Sequence, residues 1–217
     1  MMKVLANDGI SKAGEIALQD AGIEIIEAKV AQEQLANFIN ENAVDVLLVR
    51  SATKVPKELI DSCPTLKIIG RGGVGLDNID VEHAKAKGIY VINTPNASSR
   101  SVAEMVFAHF FSLARFLHEA NRMMPLEGES NFKALKKSYS NAVELEGKTL
   151  GVIGFGGIGK EVVKMGISLG MKVKVLTRSP KTATLSLNFF DGQQVDFRIS
   201  SDHIMDEFLK DSDFISI

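Results

Sequence analysis

Six residues, Gly154-Phe155-Gly156-Gly157-Ile158-Gly159, stand between an apolar run and a helical pattern. Glycines at the first, third and sixth positions of such a turn have three separate uses. Gly154 permits the tight reversal, Gly156 lets the backbone come close to a pyrophosphate, and Gly159 lets helix and strand approach each other. The N–H groups that start the helix, among them those of Gly157 and Ile158, then face phosphate oxygens with the helix dipole behind them. The six letters alone are a weak signal. The strand before and the helix after raise them to a dinucleotide fingerprint. The plain alternative is a glycine-rich turn that holds nothing.

A fingerprint of this kind carries an acidic residue at the end of the next strand, where it binds the ribose 2′-hydroxyl. Here that strand ends Val175-Leu176-Thr177-Arg178-Ser179, with no carboxylate. Thr177 offers one hydroxyl and Arg178 a positive charge. This end of the site should accept a 2′-phosphate better than an acidic residue would, which predicts relaxed use of NAD and NADP or a preference for NADP. The other reading turns Arg178 to solvent or stacks it on the adenine, with NAD still used.

A second glycine run, Gly70-Arg71-Gly72-Gly73-Val74-Gly75-Leu76-Asp77-Asn78-Ile79-Asp80, follows the apolar stretch Leu66–Ile69. Backbone N–H groups laid bare in such a run form an anion nest. The end of a parallel strand is also where open α/β sheets bind ligands. A structural turn is the alternative. Val49-Arg50-Ser51-Ala52-Thr53 sits at another strand end, where Arg50 can pair with a carboxylate or phosphate and Ser51 can add a hydrogen bond. A surface charge is the alternative for Arg50. The histidines His83, His109, His118 and His203 have no motif around them, and Cys63 stands before Pro64 without a partner; all five read as structural or surface residues.

These loops need a frame, and short apolar runs alternating with helical patterns supply an α/β one. Strands are expected at Lys3–Ala6, Ile23–Ile26, Val44–Val49, Leu66–Ile69 and Tyr90–Ile92. Helices are expected from the cap at Ser11 to Asp20 and at Ala31–Asn40, Pro56–Ser62 and Val81–Lys87. This is a small doubly wound parallel sheet. A long, largely apolar helix follows from Ser101 to about Asn121, apolar over so much of its surface that burial between domains or subunits is expected. Met123–Glu146 is polar and reads as a connecting segment. A second α/β unit has strands at Thr149–Ile153, Val173–Leu176 and Phe214–Ile217, helices at Gly157–Leu169 and Met205–Leu209, and a possible hairpin around Asp191-Gly192. Ending on a buried parallel strand is unusual, so the second unit is expected to be incomplete and the polypeptide longer.

With 217 residues, 45% apolar and 24% charged, the composition is that of a globular protein, not a collagen, coiled-coil rod or disordered tail. A net charge of -2 makes nucleic acid an unlikely main partner. No apolar run approaches the roughly 20 residues that cross a bilayer. Asp8 comes too early for a signal peptide, and no intrachain disulfide is possible with one cysteine, which fits a reducing cytoplasm.

At this point the sequence resembles the D-isomer-specific 2-hydroxyacid dehydrogenases, and within them the branch acting on 3-phosphoglycerate. The resemblance rests on Val49-Arg50-Ser51, on Gly70–Asp80, on Asn93-Thr94-Pro95 with Ser101-Val102-Ala103-Glu104, and on Gly154–Gly159, in family order. It implies a flavodoxin-like substrate domain over 1–97 and a Rossmann-type NAD(P)-binding domain over 98–217, partial at its C-terminus. It also implies a homodimer through the helix from Ser101, with no metal. The substrate carboxylate would lie on the Gly73-Val74-Gly75 loop, on the N–H groups of Val74 and Gly75. Arg50 and Ser51 would contact substrate, with the arginine on the phosphate. Val102 would lie beside the nicotinamide, and Gly154, Gly156, Gly157, Ile158, Gly159, Thr177 and Arg178 would line the dinucleotide site. The implied reaction moves a hydride between C2 of a D-2-hydroxy acid and NAD or NADP. Hydroxypyruvate or glyoxylate reduction, and a dinucleotide-sensing binding protein without turnover, are the alternatives. The family's catalytic arginine, glutamate and histidine match nothing in residues 1–217 and would lie beyond Ile217. Ser98 replaces a common asparagine, and Thr177 replaces the usual acidic residue.

Overall fold

Val46-Leu47-Leu48-Val49 has no polar residue, and a strand of that kind survives only with both faces covered. In the computed structural model, which describes residues 1–217, it is strand β3 and the middle of a five-stranded parallel sheet. The sheet is built from β1 (Lys3–Ala6), β2 (Glu24–Ile26), β3, β4 (Ile68–Arg71) and β5 (Tyr90–Asn93), in the order β2-β1-β3-β4-β5. Helices α1 (Lys12–Asp20), α2 (Leu35–Glu41), α3 (Lys57–Ser62) and α4 (Val81–Ala86) connect the strands. Leu5, Leu47 and Ile69 from the strands meet Leu35, Ile39 and Leu59 from the helices in one buried cluster. Asp45, just before β3, accepts hydrogen bonds from the Lys3 N–H and the Lys67 ammonium, so the polar residue beside the apolar run ties three strands together at their starts.

Helix ends follow local chemistry. Ser11 caps α1 by accepting from the Gly14 N–H, and Asp80 caps α4 by accepting from the His83 N–H. The helix expected from Ala31 begins later, because Gln32–Gln34 forms a tighter turn that feeds α2. Between α3 and α4, one oxygen of Asp61 lies 2.9 Å from His83 Nε2 and 2.6 Å from Lys87 Nζ. Hydrogen bonds from Lys87 and His83 hold the Asp61 carboxyl down at about 2, below its ordinary 3.8. A carboxylate with a depressed folded-state value adds stability above its unfolded value and loses it as pH falls. Asp61→Asn should therefore lower the thermal midpoint near neutral pH. The deficit should shrink as pH falls from about 4 toward 2, which calorimetric melts across that window would read.

The chain divides into two compact units, Met1–Ala97 and Ser98–Ile217. The second has a three-stranded parallel sheet, β10-β6-β7, from β6 (Thr149–Ile153), β7 (Lys172–Leu176) and β10 (Phe214–Ser216). Helix α7 (Gly157–Ser168) lies on it, α5 (Ser99–Ala114) packs against α7, and α8 (Met205–Lys210) leads into β10. Gly166 lets these layers close, because a Cβ there would stand 2.7 Å from Leu150.

The single helix expected from Ser101 to Asn121 is two helices. Phe116 takes the left-handed conformation, φ 53°, and ends the first; α6 then runs from Leu117 to Ser138. The polar segment expected to be a connector after Met123 is thus largely helical. Its glutamates, lysines and alanine are strong helix formers, and they decide where hydrophobic periodicity is weak. A straight helix of this length would separate its ends by about 30 Å. Instead Asn131 leaves helical geometry, and the rings of Phe116 and Tyr139, from either end, stack at 6.0 Å. Helix α5 buries only the stripe Ala103, Phe107, Phe110 and Ala114, while Met105 and Leu113 are exposed.

The ambiguous stretch after Ser179 is an antiparallel hairpin, β8 (Thr182–Asn188) and β9 (Gln194–Ser200), turning through Gly192 at φ +83°. It stands where a crossover helix would join successive parallel strands. Leu185 buries its side chain in the core under α7 and β6, and the chain then touches β7 again through the single bridge Leu176–Asp202. No helix is long and apolar enough to cross a membrane.

Candidate functional site

In the first unit, β1 and β3 are neighbours whose connections leave in opposite directions, the arrangement that opens a crevice at the strand ends. Arg50 and Ser51 follow β3 at that point, in a segment braced from two sides. From β1, Asp8 accepts hydrogen bonds from the N–H groups of Arg50 (2.6 Å) and Thr53 (3.1 Å), and from the Thr53 hydroxyl (2.8 Å). Burial works to raise the Asp8 carboxyl, but these donors and the charge of Lys29 together hold it below the ordinary value. From the other side, Asn78 donates to the carbonyls of Arg50 (2.8 Å) and Thr53 (2.6 Å). The buried amide of Asn7 completes the brace by donating to Thr53 Oγ1 and Val30 O and accepting from the Val30 N–H. Asp8 and Asn78 were not singled out in the sequence. Asp8 carries only the weak signal of a polar residue at a strand end, and Asn78 lies hidden inside the glycine motif.

The glycine run leaves β4 and turns sharply. The N–H of Gly72 donates to Val49 O and that of Gly73 to Arg71 O, while Gly73 O accepts from Thr94 and Val74 O from the Asn93 amide. The N–H of Gly73 is therefore spent within the turn. The N–H groups of Val74 and Gly75 have no acceptor in the protein and lie on the exposed side of the loop. Beneath them the Arg71 side chain pairs with Asp77 at 2.5 Å. It is a further residue the sequence did not mark. The glycines make room for it, since a Cβ at Gly73 would meet Arg71 Nε at 3.5 Å and one at Gly75 would meet its terminal nitrogen at 3.4 Å.

In the second unit the three fingerprint glycines have three distinguishable reasons. Gly154 sits at φ +101°, which an L-residue rarely adopts. At Gly159 a Cβ would stand 2.2 Å from the carbonyl oxygen of Gly154. At Gly156 a Cβ would meet nothing within 4 Å, and φ is an ordinary -84°. The fold asks for glycine at the first two positions and not at the third. Gly156 is also the N-cap of α7 and has no side chain with which to satisfy the orphan N–H groups of Gly157 and Ile158. A bare helix start facing open space has the chemistry to hold a diphosphate.

At the far end of β7, the Thr177 hydroxyl lies 2.7 Å from Ser179 O and 2.6 Å from Ser201 Oγ. It is committed to the turn into the hairpin, which weakens its candidacy as a ribose ligand. Arg178 is exposed and makes no ion pair, leaving it the free charge at this position. Val102 lies on the first turns of α5 and is partly exposed. Ser98 is the N-cap of that helix, with no cap hydrogen bond from its side chain. Of the other reactive residues, His83 is held by Asp61, and burial pushes the Cys63 thiol up to about 11, which leaves it inert near neutral pH. No group of three His, Cys, Asp or Glu side chains is placed to hold a metal ion.

Comparison with known proteins places the whole chain. The family described as D-isomer specific 2-hydroxyacid dehydrogenase, catalytic domain, matches residues 4–200. Hydroxypyruvate reductase of Thermotoga maritima is 40% identical over 216 residues, covering 99% of this chain and 64% of that protein. D-3-phosphoglycerate dehydrogenase of Methanocaldococcus jannaschii is 42% identical over 173 residues, covering 80% of this chain and 32% of that protein. Among solved structures, the TT0316 protein of Thermus thermophilus superposes with a TM-score of 0.72 at 23% identity, over 99% of this chain and 63% of its own, a likeness of fold. The chain thus spans less than two thirds of the length of these relatives.

Proposed function

The chain belongs to the D-isomer-specific 2-hydroxyacid dehydrogenases, and on that premise we propose that it supplies the substrate-holding and cofactor-holding parts of an NAD(P)-dependent oxidoreductase acting on a D-2-hydroxy acid. The observation that carries this reading is the uncapped start of α7, with open space before Gly156 and free N–H groups at Gly157 and Ile158. When bound there, the nicotinamide supplies or accepts the hydride. The chain's own residues hold and orient. The free N–H groups of Val74 and Gly75 receive the substrate carboxylate, and Arg50 and Ser51, braced by Asp8 and Asn78, face the rest of the acid. Arg178 gives the adenosine end a charge suited to a 2′-phosphate.

The substrate we favour is 3-phosphoglycerate, because Arg50 is a cation without an ion-pair partner. Hydroxypyruvate reduction is the second reading, supported by similarity to the Thermotoga reductase along nearly the whole chain. A homodimer fits the apolar side chains left exposed on α5 and α6, Met105, Leu113, Leu126 and Phe132. A cytoplasmic setting suits the single buried cysteine. Calorimetric titration with NADH and NADPH tests the cofactor reading, and the expected result is binding of at least one of them. An assay with phosphohydroxypyruvate and hydroxypyruvate, each with both cofactors, tests the chemistry. A strong preference for the phosphorylated acid is expected; equal reduction of both would favour the second reading. Cofactor binding with no turnover of either acid would favour a dinucleotide sensor.

A further inference from the structure

Strand β9, Gln194-Val195-Asp196-Phe197-Arg198-Ile199-Ser200, is paired on one side only: with β8 it makes a sheet of two strands. The hydrogen bonds that flank this ladder run from Phe189 N–H to Gln193 O and from Ser201 N–H to Lys181 O. They put the odd-numbered residues of β9 into the bonded pairs with β8. Antiparallel ladders alternate, so Gln194, Asp196, Arg198 and Ser200 turn their N–H and C=O groups toward the outer edge. That edge meets no strand until the chain touches β7 again at Asp202. The register with β8 is unbroken by any bulge, and β9 contains neither proline nor lysine. It lacks the usual devices that stop an open edge from templating another strand.

Its side chains indicate which strand would be added. Arg198 and Asp196 are exposed, lie on the same face of β9, and form no ion pair within the chain. The donors to Asp196 are the neutral Ser186 and Gln194. Turned about a two-fold axis through Phe197, a second β9 overlaps the first along all seven residues. Asp196 then stands opposite Arg198 twice, once on each side of the axis. On the other face Phe197 meets Phe197 and Val195, which is 43% exposed in the single chain, meets Ile199. A slide of two residues is the smallest that keeps the faces matched, and it sets Asp196 against Asp196 or Arg198 against Arg198, which is repulsive. Full overlap and charge complementarity thus select the same register. We propose that the outer edge of β9 is a self-recognition surface, where a second copy of this chain adds its own β9 antiparallel and completes a four-stranded sheet. Such a contact uses the same patch on both copies and closes at two chains. It is separate from the apolar faces of α5 and α6, and it does not depend on the substrate or cofactor reading.

Sedimentation velocity over a concentration series tests it, on wild type, Asp196→Arg, Arg198→Asp and an equimolar mixture of these two variants. Each variant alone sets like charges opposite each other twice and should weaken self-association by about tenfold or more. In the mixture, a chain with two arginines meets a chain with two aspartates, and the lost association should return. Thermal melts of both variants should match wild type, because both side chains are exposed. Wild type that stays monomeric at every concentration overturns the proposal. Variants that associate as wild type does also overturn it, and leave any dimer to α5 and α6. A loss that the mixture fails to recover overturns it as well, because the charges would then act within the fold and not between chains.

Discussion

Gly156→Val folds normally and loses its affinity for dinucleotide by about a hundredfold or more. The two halves of that expectation come from the same geometry. The backbone at Gly156 is in a region open to any L-residue, and an added Cβ meets no protein atom within 4 Å, so the native state pays nothing for the substitution. Space that the protein does not use, in front of unsatisfied N–H groups, is where a diphosphate would lie, and branched methyl groups there would hold it out of reach. Gly159→Val is the opposite case. Its Cβ would stand 2.2 Å from a backbone carbonyl, an overlap that neither α7 nor the Gly154 turn can relieve without separating helix from strand. A destabilisation of more than about 3 kcal/mol is expected. Thermal melts by circular dichroism and titration with NADH and NADPH, run on both variants, distinguish the outcomes. A Gly156→Val protein that melts with wild type and binds as tightly would remove the diphosphate from this turn.

Arg178→Glu should shift cofactor preference from NADP toward NAD by about tenfold or more. A carboxylate at this position repels a 2′-phosphate and accepts from a 2′-hydroxyl, so the substitution acts on both cofactors in opposite directions. No other group on the protein competes for the side chain, because Arg178 is exposed and unpaired, and the neighbouring Thr177 hydroxyl is taken by Ser179 and Ser201. The ratio of NADPH to NADH affinity in wild type and variant reads the effect, and an unaltered ratio would place Arg178 away from the ribose.

Much of this could be read before any coordinates. Strands β1 and β3 stand where their apolar runs predict, because burial on both faces forces an unbroken pattern, whereas β4 begins two residues later than expected, at Ile68, and the edge strand β5 leaves Tyr90 and Ile92 exposed. Less was legible where two signals compete. Between Ser101 and Ser138 a change in hydrophobicity, from apolar to polar, suggested a change from helix to connector. The actual boundary is a single left-handed residue, Phe116, for which local sequence carries no mark. The site divides in the same way. Glycine spacing announces the backbone donors, because their chemistry depends on missing side chains. The brace around Arg50 depends on Asp8 and Asn78, which lie far apart in sequence and meet only through tertiary pairing.

The hairpin between Leu176 and Asp202 departs and returns at neighbouring positions on the same sheet edge. Its ends are already together, so lengthening or exchanging the excursion would cost little extra chain-closure entropy. On the cofactor reading proposed above, the adenosine side of the site would thus be an interchangeable module. Evolution or an engineer could then rewrite how the far half of a dinucleotide is addressed while the turn between β6 and α7, on the other side of β7, stays as it is.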